Sequence, residues 1–341
     1  MKKAVMTGPG KIEFKDFPRP EISEDEILVK IAAVGICTWE QGYYKGVPGA
    51  YPFVGGHEIC GSVEKTGLKV AQKLEKGDKV VVASLTRCGE CYFCRRGFDN
   101  LCENTGSQSV CGALWGPGGF SEYIAAKGYE VYKIDQGVDP AVGTLAEPLA
   151  CSIRSVGRSN LHFGDTAVVL GGGVMGIIHL LLAKRRGAYV IVSEPDPWRR
   201  AKALEFGADM VVDPFTEDVK AKVSAVTDKR GVEAVFFTGG GTKALEQGLT
   251  LLVKNGVLVV YGAIKPSTPI SIDPMVFHYD EIYLTGVTKH TKETFREAAE
   301  IISAKLLPME KFVSERYPFA RIEEGFKRGL ALDTYRVVVE V

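Results

Sequence analysis

The chain has 341 residues, and 42 lysines and arginines balance 42 aspartates and glutamates, so its formal charge is zero. That balance argues against a nucleic-acid partner, which needs a basic excess, and 45% apolar with 25% charged residues describes a folded chain, not a disordered one. Eight cysteines are too few for a disulfide scaffold and the 39 glycines follow no collagen period, yet five of the cysteines crowd between Cys88 and Cys111. The length fits about two domains.

The first ten residues carry two lysines but no apolar core, so no secretory signal is expected there. A soluble cytoplasmic protein with reduced thiols follows. Residues 1 to about 148 read as short strands and turns: Ile27–Val34 and Lys79–Ala83 are strands, and Gly46-Val47-Pro48-Gly49 and Gly116-Pro117-Gly118-Gly119 are punctuation. From Thr166 the pattern changes to alternating strands and helices. Ala167–Leu170, Tyr189–Ser193, Ala234–Thr238 and Val257–Tyr261 are expected strands; Val174–Arg186 and Trp198–Phe206 are expected helices. Such alternation implies βαβ units on a parallel sheet. The uncharged run Thr166–Ala183 approaches the ~18 residues that can span a bilayer, but its four glycines and His179 favour a strand turning into a buried helix. After Gly286 come a helix (Lys292–Lys305) and a final strand-like run, Arg336–Val341, which is expected to return to the first domain.

Strand Ala167–Leu170 runs directly into Gly171-Gly172-Gly173-Val174-Met175-Gly176, a G-x-G-x-x-G that opens a helix. Gly171 supplies the tight turn, Gly173 lets backbone approach a pyrophosphate, and Gly176 lets helix pack on strand. Val174 and Met175 open the helix whose N-terminus faces the anion. Glu194, 18 residues past Gly176, ends the next strand and is placed to accept a ribose 2′-hydroxyl. That favours NAD over NADP, with nearby Arg199 and Arg200 pulling the other way.

Cys88, Cys91, Cys94 and Cys102 form C-x2-C-x2-C-x7-C. Four close thiolates suit a tetrahedral structural zinc. An iron–sulfur cluster and a redox pair are the alternatives, one with a different last spacing and the other leaving two thiols over. Cys37, His57, Glu58 and Glu147 are candidates for a second, open metal site, although each taken singly is as readily a structural residue.

Gly56-His57-Glu58-x2-Gly61-x5-Gly67-x2-Val70, the four-cysteine lobe, Gly77-Asp78-Lys79-Val80, Gly119-Phe120-Ser121-Glu122-Tyr123 and the glycine motif occur in the order found in zinc-containing medium-chain dehydrogenases, which the chain resembles along its whole length. The resemblance implies an α/β protein: a GroES-like β-rich catalytic domain (residues 1–149 and 288–341) with a Rossmann NAD-binding domain inserted at 150–287. It implies a zinc on Cys37, His57 and a carboxylate. Glu147 lies in a Glu-Pro-Leu that resembles the sorbitol dehydrogenase branch, with Glu58 as the alternative ligand and Cys151 as a minor competitor. In that reading zinc acts as a Lewis acid on a secondary alcohol, a polyol or sugar derivative, while NAD takes the hydride.

Glu40 would orient His57 from behind. Trp39 stands where the family has a Ser or Thr that passes on the alcohol proton, so the proton would leave by water, Glu58 or the cofactor ribose, and Trp39 narrows the pocket. Tyr43, Lys289 and His290 occupy substrate-facing positions of the polyol branch. A small-molecule substrate, no membrane or nucleic-acid partner, and a dimer or tetramer complete the expectation. The rivals are a non-catalytic NAD-binding protein with a structural zinc alone and a zinc-free quinone or enoyl reductase.

Overall fold

The computed structural model describes residues 1–47, 50–105 and 114–341. Cys111 and the Pro48-Gly49 part of the expected turn lie outside the described residues. Strands follow one another as β1 (Lys2–Gly8), β2 (Lys11–Asp16), β3 (Glu26–Gly35), β4 (Glu58–Thr66), β5 (Lys79–Val82), β6 (Tyr123–Lys127) and β7 (Val131–Lys133). Next come β8 (Thr166–Leu170), β9 (Tyr189–Ser193), β10 (Met210–Val212), β11 (Val232–Phe237), β12 (Leu252–Val260), β13 (Tyr283–Gly286), β14 (Val313–Pro318) and β15 (Arg336–Glu340). The chain divides into two compact units, Met1–Ala150 with His290–Val341, and Cys151–Lys289.

The first unit is built on a seven-stranded sheet in the order β14-β15-β3-β4-β5-β7, with β6 pairing β3. Its pairs are antiparallel except for β14 with β15. The C-terminal strand thus enters the sheet beside β3, with Val338 opposite Gly35 and Glu340 opposite Ala33. The core beneath it holds Ile31, Phe53, Phe120, Phe326 and Val337, all 1% exposed or less. Burial on this scale is the main stabilising term, at ~25 cal/mol per Å² of apolar surface.

The second unit carries a six-stranded sheet ordered β10-β9-β8-β11-β12-β13, every pair of it parallel. This is the doubly wound order, with a switch point between β8 and β11. Its strands read as unbroken apolar runs because helices cover a parallel sheet on both faces; Ala167, Val168, Val169 and Leu170 are all buried. The membrane-length run therefore resolves into β8 and the helix Val174–Arg185, and among the described residues no helix is long and apolar enough to cross a membrane.

Candidate active site

Two clusters of side chains that could hold a metal lie in the first unit, and a glycine-rich turn at a helix N-terminus lies in the second. The catalytic candidates come from three places. Cys37 follows β3 and is the N-cap of the short helix Thr38–Tyr44, so Trp39 is helical and not at a strand end. His57 immediately precedes β4, of which Glu58 is the first residue, and Glu147 is in the first turn of the helix Ala146–Gly157.

His57 is shared by both groupings of ligand atoms: Cys37, Glu40 and His57 lie within 4.8 Å of one another, as do His57, Glu58 and Glu147. His57 Nδ1 donates to Glu40 Oε1 at 2.5 Å, and the same oxygen accepts from the Gly56 N–H at 3.0 Å. Glu40 is fully buried, so this carboxylate fixes the ring and its tautomer. The other nitrogen, Nε2, is 3.9 Å from Glu147 Oε2. Burial opposes charge on the imidazole, but Glu40 and the Cys37 thiol hold it well above its ordinary value. Burial, and then Glu58, push the Cys37 thiol up. Such a site favours a cation that would replace the protons on sulfur and nitrogen.

Arg336, in the returning strand β15, went unnoticed in the sequence. It is 3% exposed, its Nη2 lies 2.8 Å from Glu58 Oε1, and its Nη1 donates to Ile36 O at 2.9 Å. Glu58 is fully buried, and its Oε2 has no hydrogen-bond partner among the described residues. Burial pushes Glu58 up to about 7 against the pull of Arg336 and His57, with Glu147 and Glu40 adding to the rise. A buried carboxylate with an orphaned oxygen, grouped with His57 and Glu147, fits a metal site. Cys151 is buried on the helix Ala146–Gly157 and joins no ligand cluster among the described residues.

The four lobe cysteines also converge within 4.8 Å of one another, and none is in a disulfide. Four sulfurs ~2.3 Å from one zinc stand about 3.8 Å apart, and the Cys102–Cys88 sulfur pair is at 3.6 Å. Backbone N–H groups of Glu90 and Cys91 bring the Cys88 thiol down to about 6, the state a metal requires. The helix Tyr92–Arg95 between them buries none of its residues, so the lobe has no apolar core of its own. The donor set fits a structural zinc.

In the second unit Gly173 is the N-cap of Val174–Arg185, with no side-chain cap on the open N–H groups. A Cβ at Gly176 would stand 1.9 Å from Gly171 O, so packing alone demands glycine there. At Gly173 it would meet nothing nearer than Arg199 Nη1 at 3.8 Å. Protein packing does not require that glycine, whereas a phosphate drawn against the backbone does. Glu194 is buried after β9, with Oε2 accepting from Gly172 N at 2.6 Å and Oε1 from Asp196 N at 2.9 Å. Its carboxylate braces the glycine turn as well as ending the strand.

The pocket residues divide. Trp39 is 40% exposed, and its ring is 5.6 Å from that of His57. Tyr43 is buried, stacked on Phe53 at 4.0 Å. Lys289 is exposed, in a left-handed conformation (φ 57°), and ends the second unit. His290 departs from the expectation. It is 2% exposed, packed on Phe295, and its O and Nδ1 meet Arg87 Nη2 at 2.8 and 3.2 Å. A buried arginine needs acceptors, and it takes this histidine out of any open pocket.

Residues 23–136 match the alcohol dehydrogenase GroES-like domain and residues 174–304 match the zinc-binding dehydrogenase domain. L-threonine 3-dehydrogenase of Pyrococcus abyssi is 32% identical over 95% of this chain and 92% of its own. Sorbitol dehydrogenase of Bacillus subtilis is 29% identical over 97% and 94%. A solved structure described as a zinc-binding dehydrogenase, from Sinorhizobium meliloti 1021 and bound to NADP, superposes with a TM-score of 0.90 at 28% identity, covering 100% of this chain and 99% of that one. The chain belongs to the zinc-containing medium-chain alcohol and polyol dehydrogenase family. It is an oxidoreductase of CH–OH groups that uses zinc and a nicotinamide cofactor, and the non-catalytic and zinc-free readings fall away.

Proposed function

We propose that the chain oxidises a secondary alcohol of polyol or sugar type with NAD, using zinc held by Cys37, His57 and Glu147, while Cys88, Cys91, Cys94 and Cys102 hold a second zinc. The observation that carries this is the arrangement at His57: Nδ1 is committed to Glu40, which leaves the Nε2 lone pair as the metal ligand on the side of Glu147. Glu147 is preferred to Glu58 as third ligand because Glu58 is already charge-paired with Arg336. Glu58 Oε2 remains as a reserve acceptor. A zinc held there would supply Lewis-acid polarisation of an alcohol oxygen, and a bound nicotinamide would supply the hydride acceptor.

The chain's own residues then orient and exclude. Glu40 keeps the imidazole in one tautomer, and the Trp39 indole, which has no hydroxyl to relay a proton, walls the site and displaces water. In the second unit the open N–H groups at Val174 and Met175 suit a pyrophosphate, and the Glu194 charge disfavours a 2′-phosphate. Arg199 beside Gly173 sets a limit on that preference. A cytoplasmic homo-oligomer, dimer or tetramer, acting on a small molecule completes the reading.

The test couples metal counting to a nicotinamide-reduction screen over polyols, aldonates, inositols, simple secondary alcohols and L-threonine. Two zincs per chain and turnover with a polyol-type substrate are expected, with NAD preferred. Full turnover and unchanged metal in Cys37→Ser or His57→Ala would sink the assignment.

A further inference from the structure

Trp39, whose ring is 5.6 Å from that of His57, belongs to a packed aromatic assembly. Tyr43 and Phe53 are stacked parallel at 4.0 Å, and Trp39 stands edge-on to both, at 5.0 and 5.5 Å. Trp115 locks the group from a second segment: its Nε1 donates to Tyr43 Oη at 3.3 Å, and its carbonyl accepts from Val54 N at 2.8 Å. Despite this packing Trp39 keeps 40% of its surface open and Trp115 46%. Large apolar side chains held half-open beside a polar cluster are what a binding wall for a small molecule looks like.

The charges near the cluster narrow the choice. Glu40, Glu58 and Glu147 are its carboxylates, and the arginine acting on Cys37 and Glu58 is Arg336. That guanidinium is 3% exposed and committed to Glu58 and Ile36 O. Within this unit it is therefore not available to a substrate carboxylate or phosphate. An indole face is the negative end of a quadrupole and attracts weakly positive C–H groups. A ring polyol presents several C–H bonds on one face, held together without loss of rotamer freedom on binding. An open-chain polyol must freeze its torsions to do the same.

We infer that the preferred substrate is an uncharged cyclic polyol whose C–H face lies against Trp39. This rests on the dehydrogenase reading above and names the substrate class of the same site. The test compares kcat/KM for myo-inositol and methyl β-D-glucopyranoside with that for sorbitol, xylitol and L-threonine, using the zinc-loaded full chain. Ring substrates are expected to lead, and Trp39→Leu to lower the ring-to-chain ratio about tenfold, mainly through KM. Trp39→Phe is expected to recover most of the ratio. Tryptophan fluorescence of the wild type should change on titration with myo-inositol, and Trp39→Phe should lose that change. Turnover led by open-chain or charged substrates, or an unaltered ratio in Trp39→Leu, overturns the inference and leaves the dehydrogenase reading standing. No turnover with any alcohol overturns both.

Discussion

His57 donates from Nδ1 to Glu40 and turns Nε2 toward Glu147, so the loss of one buried carboxylate unfixes the ring. Glu40→Ala is expected to lower zinc affinity or turnover by about 10–100-fold, and Glu40→Gln, which keeps an acceptor, by less, as metal titration and initial rates will show. A second histidine makes a prediction about pH. His179 is fully buried in Val174–Arg185; its Nδ1 donates to Met175 O at 2.7 Å, and its Nε2 has no partner among the described residues. Burial brings it down to about 4 from an ordinary 6.5. Between those values the unfolded chain binds the proton and the folded chain does not. Stability from this group is therefore complete above pH 6.5 and is lost as the pH falls toward 4, by up to roughly 3 kcal/mol. The difference in Tm between pH 7 and pH 5 should shrink in His179→Leu. Of these residues, Glu40 was legible through the family resemblance. Arg336 was not, because nothing local marks an arginine in a valine-rich strand as the partner of a glutamate 278 positions earlier.

The cysteine lobe shows the same logic on the scale of an element. Its spacing announces a metal, but what anchors it to the unit is a buried ion pair inside the lobe whose two members reach His290 and Lys292. Arg87 Nε faces Asp99 Oδ2 at 3.4 Å, and Lys292 N donates to the same oxygen at 3.3 Å. Tyr129 Oη accepts from Arg87 N at 2.9 Å and donates to Arg87 O at 2.8 Å. Breaking one partner of such a pair costs about 3–5 kcal/mol, because the other charge stays buried. Asp99→Asn is expected to lower Tm and to raise deuterium uptake at residues 288–295 as well as in the lobe. Chelation that strips the lobe should deprotect residues 88–102 while β8 to β13 keep their slow exchange, since the lobe has no buried apolar helix to fall back on. Four of the six strands of the parallel sheet, β8, β9, β11 and β12, were readable because buried parallel strands are continuous apolar runs, whereas the short β10 and β13 at its edges were not expected. β4 and β14 carry polar residues on one face and were missed.

On the scale of the whole molecule, the returning tail completes the first unit. β15 lies between β14 and β3, so the last residues supply both a central strand and the Arg336 that pairs with Glu58. Removing residues 336–341 is expected to leave two unpaired strand edges and an uncompensated buried carboxylate. Soluble yield should collapse, and any soluble fraction should carry less zinc than the full chain by elemental analysis.

The sequence by itself marked the alternating strands and helices of the second unit, the glycine turn and the four-cysteine lobe, which are local signals in which spacing along the chain stands for spacing in space; Cys37, His57 and Glu147 were named only through the family resemblance. Only the tertiary structure decided that Arg336 holds Glu58, that Arg87 draws His290 inward, that Glu194 braces the glycine turn, and that Trp115 bonds Tyr43. Each of those contacts joins groups 22 to 278 residues apart, and nothing short of the folded chain brings them within hydrogen-bonding reach.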